Sequence, residues 1–144
     1  MNTTKVSSQE TNQSTTKMNV KVLLSTLWIF AMFNYLYADI LTLMDAEELK
    51  ALMTGYVGTM QITQGFLFVG AILMETAIAM VLLSRVLNYK ANRLTNIIVG
   101  ALHTFAVFAS MVGTTPPAPY YIFHGVIEIA CTAFIVWTAW KWRE

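Results

Sequence analysis

The sequence predicts an all-α polytopic membrane protein, a bundle of four transmembrane helices, and three observations lead there. Apolar residues make up 56% of the 144-residue chain and charged residues only 12%, against about 25% charged in soluble domains. Four stretches reach or approach membrane length almost without charge, since a helix rising ~1.5 Å per residue needs ~20 apolar residues to cross a ~30 Å hydrocarbon core. The remaining charges sort by side. Lys5, Lys17, Lys21, Arg85, Lys90, Arg93, Lys141 and Arg143 fall on one side of a four-span layout, and only Lys50 on the other, beside Asp45, Glu47 and Glu48. The positive-inside rule then predicts a multi-pass protein of the cell (inner) membrane with both termini cytoplasmic.

Each element has its own warrant. Residues 1–20 are rich in Ser, Thr, Asn and Gln without apolar periodicity, which predicts a flexible cytoplasmic tail and leaves 21–144 as the transmembrane domain. The first span is expected at 22–44 and ends at Asp45, whose carboxylate suits the N-cap of a short amphipathic segment, AEELKALMTG, with Gly55 as its stop. A second span is expected at 61–87, closing with Arg85 and the polar hairpin NYKANR. The third is shorter, 95–112. Gly113 to Pro119 reads as a proline-stiffened turn, with Pro119 suited to the first position of the last span, 120–140. Tyr120 and Tyr121 at one interface and Trp137, Trp140 and Trp142 at the other form aromatic belts.

Polar residues inside these spans are the candidate site. Glu75 lies near the middle of TQGFLFVGAILMETAIAMVLLSRVL, where a charged side chain costs ~2.5 to 3.5 kcal/mol on insertion scales. At ~100° per residue the polar groups sort into one stripe per span. These are Tyr35, Asp39 and Thr42; Gln64, Phe68, Ala71 and Glu75; Asn96, Gly100, His103 and Ser110; and Tyr121, His124, Glu128 and Cys131. Lipid cannot satisfy such groups, so all four stripes are expected to face inward and meet. The result is an outward-opening pocket floored by Glu75, His103 and Glu128 as its acid–base groups. Asp39, Tyr35, Gln64, His124 and Tyr121 are its ligand contacts. Asn34, Gln64 and Ser110 also suit interhelical hydrogen bonding. Asn96, near the cytoplasmic end, is expected to be solvated or capping, and Cys131 to be a small packing residue.

Two carboxyl groups close together in low dielectric share a proton, and a neighbouring histidine gives it somewhere to go. Such a cluster suits binding, with acid–base conversion, of a small lipophilic molecule in the bilayer. Proton-coupled transport is an alternative, as is an accessory role in a membrane redox complex. The expected partners are therefore the bilayer, a lipophilic molecule, and a second copy of the chain or a membrane redox partner. A single cysteine excludes intrachain dithiol chemistry, and sparse basic residues without a soluble patch argue against nucleic acid. No cofactor is named by the residues. His103 and His124 are offset in depth, which disfavours a bis-histidine haem, and the Glu-x-x-His repeats of di-iron bundles are missing, so no metal is assigned.

The segments LWIFAMFNYLYADILTLMD (27–45), ITQGFLFVGAILMETAIAMVLLSRVLNYKANR (62–93) and IEIACTAFIVWTAWKWR (127–143) resemble a family of small prokaryotic four-span membrane proteins of unknown function. The resemblance covers 21–143 and implies the four spans without implying a reaction. In layout alone the chain is similar, more distantly, to the DoxX-like group, some of whose members accompany membrane redox systems.

Overall fold

The computed structural model describes residues 19–58, 60–112 and 117–143. The expected tail lies outside the described residues up to position 18, as do 113–116 of the proline-stiffened turn. Helix α1 (Val20–Met44) begins where the Asn19 side chain accepts from the Lys21 amide at 3.0 Å. It ends at Asp45, whose extended backbone breaks the helix and whose carboxylate accepts from the Glu47 amide, also at 3.0 Å. That cap starts α2 (Ala46–Met53), with Glu47 and Glu48 in its first turn, where the helix dipole favours acids. Gly55 then turns the chain at φ +85°, a conformation open to glycine.

The hairpin that follows was not expected. Strands β1 (Tyr56–Val57) and β2 (Met60–Gln61) pair antiparallel, with Tyr56 opposite Gln61. Thr63 caps α3 (Gln64–Val86) through its hydroxyl, which accepts from the Phe66 amide at 3.1 Å. Only Leu87 and Asn88 separate α3 from α4 (Tyr89–Val112), so the NYKANR segment is mostly the first turns of α4 rather than an open hairpin. The Asn88 side chain accepts from the Ala91 amide at 3.0 Å, and polar residues are at home in a helix that starts at the membrane surface. Pro119 opens α5 (Pro119–Lys141) in its first turn.

All four long helices are apolar enough to span a bilayer, and the fold is an all-α membrane bundle. Phe33, Phe68, Phe105 and Phe108 lie on its outside, where hydrocarbon replaces water as solvent. Helix α5 packs along both α4 and α1, α1 packs along α3, and α3 with α4 makes the slightest contact, leaving a seam. The close approach of α4 to α5 depends on Gly100, because a Cβ there would lie 2.8 Å from Val136 Cγ2.

One end of the bundle is stitched by its basic residues. Lys21 Nζ donates to Leu87 O (2.6 Å), Arg93 to Trp140 O (3.2 Å) and Tyr89 Oη to Trp142 O (2.8 Å). The start of α1, the α3–α4 turn and the end of α5 therefore share this basic end, and the β-hairpin marks the other. Just inside the basic end, Trp28 Nε1 and Ser84 Oγ both donate to Asn96 Oδ1 (2.8 and 3.3 Å). Asn96 Nδ2 donates to Asn92 Oδ1 (2.7 Å), and Asn92 Nδ2 to Ser84 O (2.6 Å). All four side chains are fully buried. Asn96 is thus neither solvated nor capping; it is the centre of a network joining α1, α3 and α4.

Candidate functional site

Three of the four polar stripes face inward. His103, His124 and Glu128 are buried, with Tyr35 and Tyr121 half-buried beside them. Tyr35 and Asp39 from α1, His103 from α4, and Tyr121 and Glu128 from α5 line one cavity of about 570 Å³ in the hairpin-end half of the bundle. That size lies within the ~300–1,000 Å³ of small-molecule sites. Leu52, Val57 and Ile62, from α2 and the hairpin region, also line it, as do Gly70 and Met74 of α3 and Ala106 and Val107 of α4.

The stripe on α3 does not join them. Gln64, Phe68, Ala71 and Glu75 are all exposed, so Glu75 is not part of the pocket floor and Gln64 is not a lining residue. The cause is rotational: α3 turns Ala77, Met80 and Ser84 to the bundle and buries them, and the exposed Glu75 lies off that packed face. Its neighbour Thr76 takes the inward place. The Thr76 hydroxyl donates its only proton to Leu73 O at 2.7 Å, so its 3.1 Å contact with His103 Nε2 requires the imidazole N–H to donate. The proton in that contact is therefore on Nε2. The ring is further held by Tyr35 stacked at 5.6 Å and Trp28 edge-on at 5.4 Å.

His124 is also separated from the cavity. Its Nδ1 lies 3.3 Å from Asn34 Oδ1, while Asn34 Nδ2 donates to Phe30 O at 2.9 Å. It packs between Tyr37 and Phe123, tying α5 to α1 as glue rather than as a lining residue. Cys131 is a buried packing residue whose thiol sits 3.4 Å from Leu27 O.

Within the cavity, the hydrogen bonding is incomplete. Tyr121 Oη donates to Ser110 Oγ at 2.9 Å. Glu128 is only 6% exposed, yet its Oε1 has no partner among the described residues, and neither has Tyr35 Oη. A buried polar atom left unpaired costs ~1–3 kcal/mol. Asp39 stands at the same cavity with greater exposure. No hydrogen bond joins His103 to Glu128 among the described residues. Sequence reasoning missed Thr76, Trp28, Asn92 and Ser84; the available signal was the spacing of Thr76, Ala77, Met80 and Ser84, small or flexible residues on one face of an otherwise bulky helix.

Comparison with known proteins gives one positive finding. Neither the curated proteins nor the solved structures match this chain, and the DoxX-like likeness gains no support from them. A family model does match, over residues 14–144, nearly the whole chain. On that match the chain belongs to the DUF6326 family, a family of unknown function.

Proposed function

We propose that this chain is a multi-pass protein of the cell membrane that binds a small lipophilic molecule in its hairpin-end cavity. The skew of basic residues to one end supports cytoplasmic termini and an outward cavity. Glu128 carries the reading: a carboxyl group almost wholly buried in a membrane helix, unpaired at one oxygen, on the wall of a cavity of ligand size. Intramembrane acids are costly and mark ligand or ion paths when they face the bundle interior. Tyr35 lines the same cavity, and the stacked, Thr76-held His103 gives a rigid aromatic edge. Acid–base conversion has weaker support, since His103 directs Nε2 to Thr76 and Glu75 lies outside.

The test is native mass spectrometry of the protein purified in mild detergent, beside Glu128→Gln and Glu128→Leu. The expected result is a co-purifying small molecule that is depleted in Glu128→Gln and lost in Glu128→Leu while both variants stay folded. Identical bound mass in all three, or none in the wild type together with no response to added lipophiles, would overturn the proposal.

A further inference from the structure

We infer that the molecule this cavity takes is a lipophilic cation, such as a protonated amine or a quaternary ammonium or phosphonium compound; this rests on the cavity being a ligand site. The charges on its wall are of one sign. Asp39 and Glu128 both line it, and no Lys or Arg among the described residues does. Arg85 belongs to a separate apolar groove towards the basic end, where its Nε donates to Ser25 Oγ at 3.0 Å. Lys50 is exposed on α2. The remaining titratable base at the wall is His103, whose Nε2 proton is already engaged by Thr76.

Three ligand classes can be compared on this wall. An anion would face two carboxyl groups, one of them, Glu128, buried where water screens little. A neutral donor would bond to one carboxyl group and leave the acidic field of the pair unanswered. A cation answers both carboxyl groups at once, and a buried ion pair is worth forming in lipid because the isolated acid is already penalised there. Tyr35, Tyr121 and Phe66 add aromatic rings at the same cavity, and cation–π contacts reach about 2 kcal/mol when desolvated. The remaining wall is apolar, which asks for hydrophobic substituents around the charge. The seam between α3 and α4 offers a lipophilic molecule a route from the bilayer.

The probes are three compact aromatic molecules of different charge: tetraphenylphosphonium, neutral triphenylphosphine oxide and tetraphenylborate. Binding to the purified protein in detergent is measured by isothermal calorimetry or equilibrium dialysis. The cation should bind at least about tenfold more tightly than the neutral probe, a difference of ~1.4 kcal/mol, and the anion should not bind. The Asp39→Asn, Glu128→Gln double variant, shape-preserving at both positions, should erase the preference for charge. If the neutral probe binds as well as or better than the cation, the inference fails while the ligand site stands. If no probe of any charge binds, both fail. The charge series on the wild type decides the matter even where the double variant does not fold.

Discussion

The two halves of this bundle use buried polar residues in opposite ways. Towards the basic end, Trp28, Ser84, Asn92 and Asn96 satisfy one another across three helices, leaving Thr138 Oγ1 as an orphan there. Towards the hairpin end, Glu128 and Tyr35 line a cavity, and Glu128 Oε1 and Tyr35 Oη are buried beside it without partners among the described residues. The helices are the same ones, continued by about three turns. A polar residue in a membrane helix is therefore not informative by type alone; the bonding of Asn96 is completed within the protein and that of Glu128 is not.

The largest expected effect breaks the closed half. Asn96→Leu removes the bonds to Trp28, Ser84 and Asn92 together. At ~0.6 kcal/mol for an average membrane hydrogen bond, plus the penalty for groups left unpaired, a loss of about 2 kcal/mol is expected, read as lower thermal stability in detergent. A stability equal to wild type would mean the network is not holding the helices. Packing should divide the halves in the same way. Gly100→Ala pushes a methyl against the branched Val136 at 2.8 Å and should cost about 1–2 kcal/mol. Gly125→Ala meets the flexible Met111 side chain and should cost about 0.5 kcal/mol or less. Equal costs would remove the contrast in rigidity.

The open half should respond with the other sign. Glu128→Leu deletes an unpaired buried carboxyl, so the ligand-free protein should become more stable by about 1 kcal/mol while losing its ligand. A destabilised variant would show instead that Glu128 is structural glue like Asn96. The smallest effect is expected at Glu75, exposed on α3. Glu75→Leu should leave ligand retention unchanged in the native mass spectrum. Loss of ligand there would bring the α3 stripe back into the site.

Much of the fold was legible because hydrocarbon thickness constrains helix length, and Asp45, Gly55 and Pro119 punctuate the chain by backbone chemistry that any context preserves. The start of α4 was not, since residues 89–94 look like a loop by polarity and become helix at the membrane surface. In the site, helical periodicity placed His103 and Glu128 on inward faces, and Tyr35, Asp39 and Tyr121 at the same cavity. Periodicity gives which residues share a face, but not which face a helix turns to its neighbours. On α3 the small residues decided that, and Glu75, the most conspicuous residue in the sequence, was turned outward as a result.

Trp28 sits where the two halves meet. It is fully buried, unlike Trp137, Trp140 and Trp142, and it holds Asn96 with its indole nitrogen while its ring edge lies against His103. A protein with the other three tryptophans replaced by phenylalanine would have a single emitter at that junction. Its colour would report whether the closed network still excludes water, and its brightness would follow changes at the imidazole one ring away. The same side chain that fastens one half to the other thus supplies an optical signal for both.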